Sequence, residues 1–254
     1  MSGHSKWASI KHQKGAKDKA RGKLFAKLIR QVEVAAREGG GDASANASLR
    51  SMITKARDAS VPIDTIERAV KRGTGELEGV RYEPISYEGY APSGVAIIVE
   101  CLSDNRNRTG SEIRSAFSKN GGSMAEPGAV AWQFERKGVV HLPKQAGAKA
   151  LEEDELMLVA LEAGAEDLED QGDMWQLTCP PSDLVPLRSA LEEAGLEVDS
   201  AEAMLIPTTT VPVEDEGGAR KVLRLIDILE DHDDVQNVYA NFDIPDHVIE
   251  LVEV

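Results

Sequence analysis

The run Val95-Ala96-Ile97-Ile98-Val99 is apolar at every position. A strand with one solvated face alternates apolar and polar residues, so an unbroken apolar run predicts a strand that is buried on both faces. A helical pattern follows over residues 111–120, and residues 130–134 alternate as a further strand. This stretch therefore predicts a sheet that is covered by helices.

Residues 138–206 contain a second pattern of the same kind. In chain order it predicts a strand from Val139 to Leu142, a helix through Leu156 and Ala163, a strand through Trp175 and Cys179, a helix through Leu184 and Leu191, and a strand through Met204 and Ile206. We interpret this order as the βαββαβ arrangement of a ferredoxin-like unit.

One helix and one strand remain after residue 207, at residues 222–229 and 238–242. They would complete the unit that begins at Val95. The sequence thus predicts a discontinuous α+β domain, residues 80–136 plus 207–254, into which the ferredoxin-like unit 138–206 is inserted.

Residues 1–75 predict a basic arm followed by three short helices. The first helix begins near Asp18 and ends at Gly39, and its apolar residues fall on one arc at about 100° per residue: Leu24, Phe25, Leu28, Ile29, Val32 and Ala36. The predicted fold class is therefore α+β and multidomain. An N-terminal three-helix domain precedes two ferredoxin-like α+β domains, one inserted in the other.

The two ends of the chain carry opposite charge. Residues 1–73 hold 16 basic and 7 acidic residues, whereas residues 74–254 hold 13 basic and 37 acidic residues, so the total of −15 hides a strongly cationic start. Neutralising phosphates releases condensed counterions, so a cationic segment of this kind favours nucleic acid as its partner. The acidic remainder would be repelled by the same polyanion.

The predicted nucleic-acid contacts lie in the arm and on the polar side of the first helix. They are Lys6, Trp7, Lys11, His12, Lys14, Lys17, Lys19, Arg21, Lys23, Lys27 and Arg30. Trp7 could stack on a base while neighbouring ammonium groups follow the phosphates. It could equally anchor the arm against the helices, and a cationic helix face can also be simply solvated.

Two further charged segments have alternative interpretations. Arg106 and Arg108 stand at a helix start, where free N–H groups favour an anion, but the arginines could instead pair with nearby acids while neighbouring side chains cap the helix. Residues 227–234 place acids at a helix end, against the dipole. This pattern fits a cation or a basic partner, or a solvated turn.

The remaining observations exclude other classes of function. Cys101 and Cys179 lie in apolar runs without metal-ligand spacing, which indicates buried reduced thiols in a cytosolic protein. No apolar run approaches the length of a membrane span. Phosphate-binding, nucleophile-elbow and zinc-protease motifs are missing from the sequence. We therefore expect no catalytic residues, no metal, no cofactor and no small-molecule substrate.

Several motifs along the whole chain resemble those of the YebC/PmpR family. They include Gly3-His4-Ser5-Lys6-Trp7, Arg21-Gly22-Lys23-Leu24-Phe25, Tyr87-Glu88-Gly89-Tyr90, Asp104-Asn105-Arg106-Asn107-Arg108-Thr109 and Ala131-Trp132-Gln133-Phe134-Glu135. The chain departs from the usual pattern at Thr65, Ala91 and Ser93, which concerns local loop geometry.

The resemblance implies a three-domain, cytoplasmic and non-enzymatic regulator of gene expression. Bacterial members are usually described as DNA-binding transcriptional regulators. Mitochondrial relatives resemble translational activators, and some bacterial members look like ribosome factors that relieve stalls at proline runs. We therefore expect a DNA-binding transcriptional regulator, with a ribosome-associated, RNA-binding translation factor as the alternative.

Overall fold

The computed structural model describes residues 17–146, 149–150 and 153–252. The helices in these ranges are α1 (Lys17–Gly39), α2 (Ala47–Asp58), α3 (Ile63–Gly73), α4 (Arg106–Lys119), α5 (Glu153–Glu162), α6 (Leu184–Glu193), α7 (Glu216–Glu230) and α8 (Asp246–Val252). The strands are β1 (Glu83–Tyr90), β2 (Ala96–Ser103), β3 (Ser123–Ala125), β4 (Phe134–Pro143), β5 (Gln145–Ala146), β6 (Lys149–Ala150), β7 (Asp167–Asp170), β8 (Met174–Cys179), β9 (Ser200–Pro207), β10 (Val211–Pro212), β11 (Val235–Ala240) and β12 (Phe242–Asp243). Across these ranges, no helix has both the length and the apolar character needed to span a bilayer.

The predicted α+β fold, with an N-terminal helical region followed by sheet-containing domains, is confirmed. The chain forms two compact units, whose described parts are residues 17–130 with 215–238 and residues 131–214 with 239–252. The domain bounds 1–75, 80–136 plus 207–254, and 138–206 stay a prediction.

Helices α1, α2 and α3 enclose one apolar core. Its buried residues are Leu28, Val32, Ala35, Ala36, Leu49, Ala56, Val61, Ile66 and Ala69. Asn46 joins two of the helices, because its Oδ1 accepts the Leu49 N–H at 3.0 Å while its Nδ2 donates to the Ala35 carbonyl at 2.8 Å. Leu24 belongs to the predicted apolar arc but not to the core, since its side chain is 46% exposed and the buried residues of α1 begin one turn later, at Leu28.

The sheet of the first unit has the order β11-β2-β1-β3. Strand β2 is buried at every position except Glu100, as its apolar run predicts. The sequence did not predict β1, which pairs antiparallel with β2 and with β3. Gly89 of β1 is needed for close packing, because a Cβ there would lie 2.7 Å from the Phe117 ring of α4. The spatial order is that of a ferredoxin-like sheet, although the chain enters it at an inner strand.

The second unit contains the sheet β7-β8-β4-β9, in which neighbouring strands are antiparallel. Helices α5 and α6 share a core with it, formed by Val140, Leu142, Leu156, Ala160, Trp175, Leu177, Cys179, Leu184, Leu187 and Leu191. Together these elements give the βαββαβ order predicted for residues 138–206.

Two further predictions, one about a strand and one about the cysteines, have different outcomes. The alternating strand over residues 130–134 is wrong, because residues 131–133 form a 3₁₀ turn that leaves Trp132 70% exposed. Both cysteines are buried and free, as predicted. Burial raises the pKa of Cys101 to about 12, an effect that nearby Asp234 reinforces, so this thiol is unreactive at neutral pH.

Candidate nucleic-acid interface

Part of the predicted contact set lies outside the described residues, namely Lys6, Trp7, Lys11, His12 and Lys14. Lys17 and Lys19 belong to the first turns of α1, where the structure describes the backbone. Arg21 is exposed, and its guanidinium lies 5.2 Å from the centre of the Phe25 ring. The Arg21 side chain is therefore accessible to a partner molecule.

Three cations of α1, Lys23, Lys27 and Arg30, follow the helical repeat and form what we call the basic stripe. They contact residues 230–234, Glu-Asp-His-Asp-Asp, which run from the last residue of α7 into the turn that follows it and which we call the acidic turn. The contacts run from Lys23 Nζ to the carboxylate and the carbonyl oxygen (3.0 Å) of Asp231, from Lys27 Nζ to the Glu230 carbonyl oxygen (2.7 Å), and from Arg30 Nη1 to the Asp233 carbonyl oxygen (2.6 Å).

These contacts explain why acids can accumulate at the end of α7. The last carbonyl groups of a helix lack partners within it and carry partial negative charge, which the acids of the turn would worsen. The basic stripe supplies both hydrogen-bond donors and positive charge to this end. The basic partner that the acidic pattern suggested is therefore a helix of the same chain.

Lys27, in the middle of the basic stripe, is partly buried. Its pKa is lowered, because burial disfavours the charged ammonium more than Glu230 and the neighbouring acids favour it. A cation in this position is held between protein groups. Its charge is less accessible to a phosphate than the sequence pattern implies.

Asp234 is the centre of the polar contacts around the acidic turn. Its side chain is 5% exposed and accepts hydrogen bonds from Thr109 Oγ1 at 2.7 Å, Arg108 Nη2 at 2.6 Å and Arg30 Nη1 at 3.1 Å. Burial alone would raise the pKa of Asp234, but the bonds from Thr109 and Arg108 and the two guanidinium charges outweigh it and hold the pKa below its usual value. Asp234 is therefore ionised at neutral pH.

Arg106 and Arg108 differ in their surroundings. Asn105 caps α4, with its Oδ1 accepting the Arg108 N–H at 3.1 Å. The Arg108 guanidinium pairs with Asp104 at 2.9 Å as well as with Asp234. Arg106 is exposed and forms no ion pair within the described ranges. Arg108 thus forms the ion pairs that the alternative interpretation expected. The anion site stays a prediction, and Arg106 is the arginine that remains available for it.

A polar depression of about 560 Å³ connects these groups. It is lined by the basic stripe's Lys23 and Arg30, by Arg108 and by residues 231–234 of the acidic turn, so side chains of both signs face it. His232 lies in its wall, with Nε2 2.8 Å from Glu112 Oε2. Within the described part of the chain, no group of three or more His, Cys, Asp or Glu residues is placed to hold a metal ion.

Sequence reasoning did not include three exposed cations of the helical region among the candidate contacts. Arg57 of α2 and Arg68 and Lys71 of α3 form no ion pair with any described residue. Arg72, by contrast, pairs with the buried Glu33 at 3.0 Å. The signal was available for α3, because Arg68 and Lys71 are three residues apart, away from the buried Ile66.

Comparisons with known proteins agree along the whole length of the chain. Residues 5–76 match the family described as TACO1/YebC protein N-terminal domain, and residues 82–242 match TACO1/YebC second and third domain. A protein of Thermobifida fusca is 57% identical over 250 residues, which is 98% of each chain, and one of Halothermothrix orenii is 54% identical over 252 residues, which is 99% of each chain. Both are named "Probable transcriptional regulatory protein".

A solved structure is similar over nearly the same range. The crystal structure of a conserved hypothetical protein from Aquifex aeolicus has a TM-score of 0.83 and 45% identity, and it covers 92% of this chain and 95% of that one. The family matches, the relatives and this structure lead to one conclusion: the chain belongs to the TACO1/YebC family.

Proposed function

We propose that this protein is a cytoplasmic, non-enzymatic regulator of gene expression that binds duplex DNA through cations of its N-terminal region. The single observation that carries the proposal is the charge partition, with 16 basic and 7 acidic residues in residues 1–73 of a chain whose net charge is −15. The names of its relatives as transcriptional regulatory proteins support DNA as the target.

The contacts of the basic stripe restrict which cations are assigned to DNA. Lys23, Lys27 and Arg30 are engaged by the acidic turn. The proposal therefore rests on the other cations: Lys6, Lys11, Lys14, Lys17, Lys19 and Arg21 from the predicted set, with Arg57, Arg68 and Lys71 added from the exposed surface of α2 and α3.

The test measures how the affinity of the full-length protein for a 30-base-pair duplex depends on salt. We expect log K to fall linearly with log salt, and Lys6→Ala/Lys11→Ala/Lys14→Ala should reduce the magnitude of the slope by about 2–3, because each lost phosphate contact removes about 0.9. Lys119→Ala/Lys221→Ala/Arg224→Ala is the matched control, since it removes the same number of cations from the exposed surface of α4 and α7. Equal slopes for the two triple variants would refute the assignment to the N-terminal region.

A second candidate function, binding to ribosomal RNA as a translation factor, is favoured by the outer side of α3. Asp64 and Glu67 are exposed there beside Arg68 and Lys71. Acids on a helix that enters a major groove would be repelled by the phosphates on either side. Irregular RNA instead offers unpaired bases and separate phosphate positions to a basic segment.

Trp7 separates the two candidates. Stacking on an unpaired base is worth about 1–3 kcal/mol, whereas insertion into a duplex requires unstacking at a cost of a few kcal/mol per step. Trp7→Ala should therefore weaken association with ribosomes in sedimentation at near-physiological salt if RNA is the target. If DNA is the target, the wild-type protein should sediment apart from the ribosomes and bind the duplex, and the same change should leave its duplex affinity nearly unchanged.

A further inference from the structure

Helix α5 is apolar on two sides. Leu156 and Ala160 point into the core of the second unit, with exposed fractions of 0% and 1%. Met157, Leu158 and Leu161, which we call the α5 face, are 37%, 69% and 60% exposed. A helix that lies on a domain surface usually presents polar residues to water, so the outward side of α5 departs from that rule.

The α5 face is a continuous strip. At about 100° per residue, its three positions fall within an arc of about 100° on the side away from Leu156 and Ala160. On helix α6, which packs on the same core, Val185 is likewise 66% exposed. Single exposed leucines are common, but a group of them on one surface marks an interaction site.

The chain segment that carries this strip is almost entirely negative in charge. Residues 151–200 contain fifteen acids and one base, Arg188, which is occupied by Glu192 at 2.8 Å. Glu153 and Glu162 are exposed at the two ends of α5. The apolar strip therefore has an acidic rim, and a strongly negative field extends from this part of the protein.

We propose that the α5 face docks a basic amphipathic helix of a partner protein. A strip one helix wide accepts apolar anchors spaced at i, i+3 and i+4, and the acidic rim pairs with Lys or Arg beside those anchors. Nucleic acid does not fit, because its phosphates would face the same acids. A second copy of the chain does not fit either, since a two-fold contact would bring two acidic rims together.

The test uses the full-length protein and a fluorescent synthetic peptide of Leu and Lys with a helical apolar period. We expect saturable binding by anisotropy, weakened at least about tenfold by Leu158→Ser/Leu161→Ser, since the apolar anchors at the centre of a contact supply most of its free energy. Ile63→Ser is the matched control, because Ile63 is 57% exposed on α3, and it should leave the peptide affinity unchanged. Glu153→Gln/Glu162→Gln should weaken binding and reduce its dependence on salt.

Three results would overturn the proposal. The first is equal binding of a scrambled peptide with the same composition, which would show attraction by net charge alone. The second is equal affinity of the wild type and Leu158→Ser/Leu161→Ser while circular dichroism shows both folded. The third is self-association of the wild type that this double variant abolishes, which would identify a second copy as the occupant. None of these measurements depends on nucleic acid, so they are independent of the function proposed above.

Discussion

The basic stripe of α1 and the α5 face are the two most conspicuous patterns on the helices, and they differ in whether the protein itself covers them. Every cation of the stripe contacts the acidic turn through a hydrogen bond or an ion pair. The apolar side chains of the α5 face remain exposed among acids. A charged pattern that looks like a binding surface is thus used within its own unit, whereas an apolar pattern that looks like core is presented to solvent.

The two surfaces also differ in how they contribute to the free energy of folding. Ion pairs that stay in water contribute little to stability, but hydrogen bonds from cations to the free carbonyls of a helix end also satisfy groups that would otherwise lack partners. Exposed leucines, by contrast, forgo the free energy of burial until a partner covers them.

The largest effect is expected from reversing the charge of the basic stripe. Lys23→Glu/Lys27→Glu/Arg30→Glu would place acids against the acidic turn, and we expect a loss of about 3–6 kcal/mol in the free energy of unfolding, measured by urea titration with circular dichroism. Arg57→Glu/Arg68→Glu/Lys71→Glu changes three exposed cations of the same helical region and should cost about 1 kcal/mol or less. Equal stability of the two triple variants would show that the stripe is only a solvated surface.

Removal of the Asp234 carboxylate should have the next largest effect. Asp234→Ala takes away the acceptor shared by Thr109, Arg108 and Arg30, and we expect a loss of about 2–4 kcal/mol in urea unfolding. Asp233→Ala is the neighbouring control. The described contact of Asp233 with the stripe uses its backbone carbonyl, so its truncation should change stability by about 0.5 kcal/mol or less. A similar cost at the two positions would contradict the central role of Asp234.

A smaller effect is expected when pH titrates the same carboxylate. The folded pKa of Asp234 is below the usual value of 3.8, so its stabilising contribution is fully present above that pH and is lost as pH falls through the lower, folded value. The stability difference between the wild type and Asp234→Asn should therefore be constant from pH 7 to about pH 5 and shrink below about pH 4. A difference that stays unchanged at the acid end of the titration would show that the ionised form is not favoured by folding.

The smallest effect on stability is expected at the α5 face. Leu158→Ser removes an apolar side chain that is already 69% exposed, and we expect a change of about 0.5 kcal/mol or less in the free energy of unfolding. Leu156→Ala, two residues away and fully buried, should cost about 2–5 kcal/mol. A loss at Leu158 comparable to that at Leu156 would mean that the α5 face is covered within the protein.

Much of the fold could be predicted from apolar periods. The buried run of β2 and the alternation of strands and helices through residues 138–206 depend on local repeats of apolar residues, and those residues form the cores of the two sheets. Strand β1 could not be predicted in this way. It contains Pro84 and Gly89, residues that disfavour strands, and it is defined by pairing with β2 and β3 and by close contact with Phe117.

The sequence by itself determined the α+β class, the order of most elements, the family and the separation of a cationic start from an acidic remainder. Only the tertiary structure decided which charges are engaged. Arg30 and Asp234 are 204 positions apart in the chain, yet their side chains lie 3.1 Å from each other. Apolar periodicity is a local property that sequence displays directly, whereas the pairing of a charge depends on which distant backbone the fold brings beside it.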